Sequence, residues 1–144
     1  MTGTGTIRTS LDDGECRSLL GRGTHGHLAF TRDALPAIAP VRYALDGDRV
    51  VIPAAPDSDH LPPAGGAVVV LGVDGCDGDT EWSVTVVGPA RTVTDAATAA
   101  ALRARDWPRP LLVGDGHRFV LLTIGVLRGW RTTPPVAPVP GRAG

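Results

Sequence analysis

The chain has 144 residues, enough for one domain with its own core, because a chain of this size buries roughly 68–70% of its unfolded surface. Hydrophobic residues make up 42% of the chain, charged residues make up 20%, and the formal net charge is −1. This balance is typical of a globular protein and argues against partners such as nucleic acid or an anionic membrane. All 14 basic residues are scattered arginines, which we attribute to coding bias.

The two cysteines, Cys16 and Cys76, are far apart, and the first ten residues are small and polar without an apolar run. No stretch approaches the roughly 20 apolar residues of a membrane span. We therefore expect a cytoplasmic protein with reduced cysteines and no membrane contact.

The first half of the chain predicts a flexible arm, a helix and several strands. Residues 1–10 are expected to form the arm. The segment 10–15 supplies helix-capping residues and early acidic residues, and Gly21 supplies a helix stop. The strands are expected over 27–31, 36–45 and 50–52, with a turn at 32–35 and a hairpin at 46–48, where Asp-Gly suits a tight turn.

The second half begins with a proline-rich stretch, 53–66, which we expect to be a loop because proline lacks the amide hydrogen that strands use. Asp95 is expected to cap an alanine-rich helix over 96–105. The further predicted elements are a strand over 67–73 buried on both faces, a turn at 74–79, a long strand over 82–94, and strands over 117–124 and 126–131.

These elements predict a mainly β protein with few helices, in which antiparallel strands at short spacing form a small barrel. The domain is expected to cover residues 11–131. The tail over 132–144, which holds four prolines and two glycines, is expected to be disordered.

The segment 21–26, Gly-Arg-Gly-Thr-His-Gly, matches the glycine pattern of dinucleotide-binding loops. Such a loop follows a strand and opens a helix, so that the helix N-terminus faces the pyrophosphate. In this chain a helix is expected before the segment and a strand after it. We therefore interpret the segment as the end of a helix.

The remaining polar patterns also have simple structural interpretations. His25 and His27 would share one face of a strand, but no further ligand completes a metal site, so we expect none. The aspartates at 74, 77 and 79 have the wrong spacing for a calcium loop. Ser83 has no flanking glycine elbow, so it is not expected to be a hydrolytic nucleophile. The sequence assigns no catalytic residue, and an enzyme of this kind would need a bound cofactor.

An ordered series of short motifs resembles the pyridoxamine 5'-phosphate oxidase-like family. The series covers about residues 11 to 131. It consists of Gly-His-Leu-Ala-Phe-Thr at 26–31, Pro-Val-Arg-Tyr-Ala-Leu-Asp-Gly-Asp at 40–48, Glu-Trp-Ser-Val at 81–84, Val-Thr-Asp at 93–95, Phe-Val at 119–120 and Gly-Trp-Arg at 129–131.

The resemblance implies a split β-barrel of the FMN-binding type, assembled as a homodimer with two flavin sites at the interface. It also implies an oxidoreductase that acts on a small molecule with FMN, or with the deazaflavin F420. The cofactor-binding residues implied by the matching motifs are Pro40, Val41, Arg42, Tyr43, Trp82 and Ser83.

The sequence departs from this family after the third predicted strand. FMN-binding relatives carry Arg-Thr or His-Ser there, followed by a lysine, and these residues hold the phosphate. In this chain Pro53 and Ala54 occupy the first two positions, and Asp59 or His60 occupies the lysine position. A homodimer that has lost flavin and has a noncatalytic or altered-ligand role is therefore a second hypothesis. A haem-binding relative, with His25, His27 or His60 as ligand, is a third.

Overall fold

The computed structural model describes residues 5–58, 62–63, 66–107 and 116–135. Nine strands and two helices lie in this part of the chain. Their bounds are β1 Ile7–Ser10, α1 Asp13–Arg22, β2 His25–Arg32, β3 Leu35–Arg42, β4 Ala44–Asp46, β5 Arg49–Ala54, β6 Ala67–Asp77, β7 Thr80–Thr92, α2 Ala96–Ala104, β8 Arg118–Thr123 and β9 Val126–Thr133.

All strand pairs are antiparallel, and the main path through the sheet is β3-β2-β6-β7-β8-β5-β4. Strand β7 changes its second partner along its length. Residues 81–87 pair with β9, whereas residues 90–92 pair with β8. This change splits the sheet into two branches, and the mainly β class predicted from the sequence is confirmed.

The main core lies inside the curved sheet and is closed at one end by α1. Cys16, Leu19 and Leu20 of α1 are buried there among side chains from the sheet. A smaller cluster lies under α2 and contains Val51, Val93, Leu102, Phe119 and Leu121. The sheet therefore buries side chains on both sides of β5 and β8, which explains the continuous apolar runs in these two strands.

Both helices begin at predicted capping residues. The carboxylate of Asp12 accepts a hydrogen bond from the Glu15 amide at 2.8 Å, and that of Asp95 accepts one from the Thr98 amide at 2.8 Å. The prediction that helix α1 stops at Gly21 is wrong, because the helix continues to Arg22. Its end is set by Gly23, whose amide donates to the carbonyl oxygens of Leu19 and Leu20.

The predicted domain ends differ from those of the structure. Residues 7–10, which we expected in the flexible arm, form β1 and pair with the last strand in the register Ile7↔Thr133 to Ser10↔Trp130. The pairing of β1 with β9 holds residues 7–10 and residues 130–133 in the sheet, so the strand predicted to end at residue 131 runs to Thr133. The rest of the tail prediction falls largely on residues 136–144, which lie outside the described residues.

Three other local predictions were wrong. Pro53 and Ala54 belong to β5 and not to a loop; β4 pairs only with residues 49–51, so the missing amide hydrogen of Pro53 breaks no ladder. The run 67–73 is not buried on both faces, because Val68 and Val70 face outward. The strand predicted over 36–45 is interrupted at Tyr43. No helix among the described residues is long and apolar enough to cross a membrane.

Candidate functional site

The outer face of the sheet carries side chains in rows that follow the strand register. One row is apolar and runs across five strands: Ile38, Ala29, Val70, Val87 and Val126. The next row contains Pro40, His27, Gly72, Thr85 and Arg128. Beyond it lie His25 opposite Arg42, and Asp74 opposite Ser83. The outer face thus changes from apolar to polar within two to four residues along each of these strands.

A cleft of about 440 Å³ opens at the polar end of this face, and we call it the β2–β3 cleft. It is lined by His25, Gly26, His27, Pro40, Val41, Arg42, Gly72 and Asp74. Three of the six predicted cofactor-binding residues, Pro40, Val41 and Arg42, are therefore brought together in one cavity. The side chain of Val41 points into the core and is only 6% exposed, whereas Pro40 is exposed and Arg42 half-buried.

Gly72 gives the β2–β3 cleft its depth. It lies opposite His27 on β2 and opposite Thr85 on β7, at an outward-facing position. A Cβ atom built at Gly72 would meet no other atom within 4 Å, so a side chain here would occupy the open space of the cleft. Gly72 is not among the site residues predicted from the sequence. Its signal in the sequence is a glycine within an apolar strand, which often marks close approach of a ligand.

The polar groups of the cleft are His25, His27 and Arg42 on one side and the exposed carboxylate of Asp74 on the other. The Nδ1 atom of His25 lies 2.7 Å from the hydroxyl oxygen of Thr24, within hydrogen-bond distance. The described residues contain no group of three or more His, Cys, Asp or Glu side chains that could hold a metal ion. The arrangement can therefore recognise polar and anionic groups of a ligand.

A second cavity of about 370 Å³, the Trp82 pocket, adjoins the first and shares Asp74 with it. Its other lining residues are Gly75, Cys76, Glu81, Trp82, Ser83 and Thr132. Trp82 is 7% exposed, and its indole lies so close to Gly75 that a Cβ atom on Gly75 would overlap the ring. Trp82 and Ser83, predicted for the same site as Arg42, thus lie in a neighbouring cavity.

Tyr43 lies apart from both cavities. The residue is 2% exposed, and its hydroxyl donates a hydrogen bond to the carbonyl oxygen of Leu20 at 2.5 Å. A Cβ atom at Gly23 would overlap this hydroxyl, so the ring is wedged under the end of α1. In this structure Tyr43 fixes α1 to the sheet and lines neither cavity.

We expect Tyr43→Phe to lower the free energy of unfolding by about 1–2 kcal/mol, because the Leu20 carbonyl loses its buried donor. Burial raises the pKa of Tyr43 above its ordinary value of 10.0. The unfolded chain therefore loses the Tyr43 proton at a lower pH than the folded protein does. The stability that this buried hydroxyl contributes is fully present below pH 10 and is lost as the pH rises above it. Urea unfolding at pH 8 and pH 10.5 measures both effects; the variant should show a smaller alkaline loss. Equal pH dependence in both proteins would contradict this role.

The two described phosphate-grip positions lie elsewhere. Pro53 lies in β5 and pairs with Phe119 of β8, and Ala54 is 1% exposed. Neither residue lines the β2–β3 cleft or the Trp82 pocket. Asp59 and His60, the alternatives for the lysine position, lie outside the described residues. Neither described position therefore presents a charged or hydroxyl side chain to a phosphate.

The other sequence motifs form structural elements. The glycine-rich segment 21–26 spans the end of α1 and the start of β2, so the order is helix then strand, as predicted. The turn predicted over 74–79 is wrong in its bounds, because pairing with β7 extends β6 to Asp77 and leaves only Gly78 and Asp79 in the hairpin turn. Neither segment forms the ligand-binding loop that its letters suggest.

Comparison with known proteins places the chain in a family. The sequence profile described as Pyridoxamine 5'-phosphate oxidase matches residues 12–112. The uncharacterized protein Rv0080 of Mycobacterium tuberculosis is 37% identical over 97 residues, which cover 62% of this chain and 64% of that relative. The match thus spans less than two thirds of the relative's length.

Two solved structures share the fold. A FAD-binding protein from Mesorhizobium loti superposes with a TM-score of 0.73 at 22% identity, covering 90% of this chain and 99% of that one. The FAD binding protein from Mycobacterium smegmatis superposes with a TM-score of 0.68 at 24% identity, covering 86% and 97%. The predicted split β-barrel is confirmed by these likenesses, and the profile match over residues 12–112 shows that the chain belongs to the pyridoxamine 5'-phosphate oxidase family.

Proposed function

We propose that this protein binds a flavin in the β2–β3 cleft and acts as a cytoplasmic oxidoreductase on a small molecule. The observation that carries the proposal is the cleft itself, which is floored by the bare backbone of Gly72 and walled by Pro40 and Arg42. These two wall residues belong to the motif through which the family resemblance implies contact with the flavin ring. Solved structures with the same fold are named FAD-binding proteins, which supports a flavin as the ligand class.

The cleft fits a flat ring better than it fits a phosphate. A planar ligand can lie against the Gly72 backbone because no side chain projects from that position. Pro40 supplies an apolar wall, while His27 and Arg42 supply hydrogen-bonding groups at the rim. When bound, the flavin would supply the transfer of a hydride, and the residues of the chain would hold and orient the ring.

The phosphate end of the ligand is expected to be held weakly. Hydrogen bonds to charged groups contribute roughly 1.5–3 kcal/mol each. The two donors missing at Pro53 and Ala54 would therefore weaken FMN binding, relative to family members that have them, by on the order of 3–6 kcal/mol, or roughly 10²- to 10⁴-fold in affinity. The carboxylate of Asp57 lies on the exposed segment that follows β5. We therefore expect ring contacts to carry more of the affinity than phosphate contacts, and FMN, FAD and F420 must be compared directly.

The protein is also proposed to be a homodimer. The two ends of the outer apolar row, Ile38 and Val126, are 68% and 44% exposed, and Val68, two residues from Val70 on β6, is 68% exposed. Contiguous apolar surface of this kind is typical of an interaction site. A second copy docked on this face would exclude water from it and would cover the adjoining β2–β3 cleft.

The test is an absorbance spectrum of protein purified without added cofactor, followed by titration with FMN, FAD and F420. Saturable binding of one of these at micromolar concentration, with matching flavin bands, would support the proposed function. A folded, dimeric protein that binds none of the three would favour the alternative that the lost phosphate grip indicates, namely a split-barrel homodimer without flavin. Sedimentation at several protein concentrations measures the dimer independently.

A further inference from the structure

Arg42 combines a place in the wall of a cavity with the absence of an ion pair or side-chain hydrogen bond to any residue that the structure describes. Six other arginines donate to carboxylates or carbonyl oxygens: Arg17, Arg22, Arg49, Arg103, Arg105 and Arg131. Arg42 makes no ion pair or side-chain hydrogen bond with the described residues, although it is half-buried in the wall of the β2–β3 cleft. A partly desolvated guanidinium without a counter-ion has unused donors facing a cavity, and such donors are suited to a ligand.

His25 lies directly across from Arg42 in the β2–β3 register. Side chains opposite each other in an antiparallel pair have Cβ atoms about 4.5–5.5 Å apart, so both can reach one ligand group. The hydroxyl of Thr24 occupies the Nδ1 atom of His25 at 2.7 Å. This contact orients the ring and leaves Nε2 as the ring nitrogen without a partner among the residues that the structure describes.

The charged groups that line the cleft favour a singly charged anion over a doubly charged one. Arg42 contributes one positive charge, and the carboxylate of Asp74 lines the opposite wall. Asp74 would repel a phosphate dianion more strongly than a carboxylate. The planar fork of a guanidinium matches the two oxygens of a carboxylate, and a histidine N–H can donate to one of them.

We propose that Arg42 and His25 form a carboxylate-binding subsite, which makes the substrate of this protein a small molecule with a carboxylate group. The assignment rests on the proposed function, since it names the substrate class for the same cleft. The carboxylate would lie at the polar end of the cleft, between β2 and β3, and the rest of the substrate would lie over the open face of the flavin ring that rests against Gly72.

The test uses benzoate and inorganic phosphate as probes on the full chain, with and without bound flavin. Binding is followed through the ring signals of His25 and His27 in ¹H–¹³C NMR spectra. Benzoate is expected to saturate and to bind at least about ten-fold more tightly than phosphate. Arg42→Leu is expected to weaken benzoate by about ten-fold or more, as expected for loss of a charged hydrogen-bonding group. Arg42→Lys should retain part of the affinity, and His25→Phe should lose less than Arg42→Leu.

Arg91→Leu is the matched control, because Arg91 is exposed on β7 and lies outside the cleft. It should leave benzoate binding unchanged. The subsite would be overturned by any of three results. Arg91→Leu could weaken benzoate binding as much as Arg42→Leu does, phosphate could bind more tightly than benzoate, or the histidine ring signals of the folded wild-type protein could show no saturable shift with benzoate. A protein that binds flavin but not benzoate contradicts the subsite alone. One that binds benzoate through Arg42 but no flavin contradicts the proposed flavin and keeps the subsite.

Discussion

Gly72→Val is expected to abolish flavin binding while the fold remains intact. The valine side chain would project from the floor of the β2–β3 cleft into space where a Cβ atom meets nothing within 4 Å. A planar ring could then no longer lie against the backbone of β6. We expect the affinity for flavin to fall by on the order of 100-fold or more, which corresponds to at least about 2.7 kcal/mol of binding free energy.

The same substitution should not destabilise the protein, and this separates it from an ordinary core mutation. Glycine inside a strand lowers stability by roughly 0.5–1 kcal/mol relative to alanine, and valine favours strands. Urea unfolding should therefore show a midpoint equal to or above that of the wild type. Flavin titration and urea unfolding on the same preparation measure the two effects together.

Gly21→Ala is the control for Gly72→Val. Gly21 is exposed in α1, and a Cβ atom there meets only Leu45 Cδ2 at 3.8 Å. This change is expected to raise the free energy of unfolding by about 0.5–1 kcal/mol, since alanine favours helices over glycine, and to leave flavin affinity unchanged. Wild-type flavin affinity in folded Gly72→Val would show that the ring does not bind in this cleft.

Gly88→Ala is expected to be among the most destabilising single substitutions in the chain. Gly88 lies at the point where β7 changes partners. The pairing of β7 with β9 ends at Val87↔Val126, and its pairing with β8 begins at Ala90↔Leu122. A Cβ atom at Gly88 would overlap the carbonyl oxygen of Thr123 and would lie 3.1 Å from the amide nitrogen of Gly125. Both neighbours are backbone atoms, so no side-chain rotation can relieve the overlap.

The expected loss for Gly88→Ala is more than about 4 kcal/mol, because the sheet must open at the branch point to admit one methyl group. The free energy of unfolding is measured by circular dichroism in urea, with solubility after expression as a second readout. Gly72→Ala adds the same methyl group at another glycine of the β6–β7 hairpin, where space is open, and should retain wild-type stability. Comparable midpoints for the two alanine variants would refute the branch-point interpretation.

Local signals in the sequence were sufficient where a residue acts on its own neighbours. Asp12 and Asp95 cap helices because each carboxylate reaches an amide three residues ahead. The turn at Gly47, with φ of 60°, follows from the Asp-Gly pair. The glycine-rich segment 21–26 was interpreted as a helix end from the order of its flanking elements alone.

Strand ends and burial were less accessible because they depend on distant partners. Residues 7–10, Ile-Arg-Thr-Ser, have a single apolar side chain and carry no strand pattern, yet they form a strand by pairing with β9. Val68 lies in an almost wholly apolar run that suggests burial on both faces, but no element of the described chain covers its outer side. The number of layers that pack on a strand is a property of the assembled sheet.

The sequence by itself indicated the family, the mainly β class, the helix caps and most of the strands along the chain. The family resemblance grouped Pro40, Val41 and Arg42, which are adjacent on β3, although strand alternation turns the Val41 side chain into the core. Only the tertiary structure decided that Tyr43 faces the core under α1, that Trp82 and Ser83 line an adjoining pocket, and that Gly72 floors the cleft. These facts depend on which strands pair and in which register, and register brings together residues that are remote in the chain.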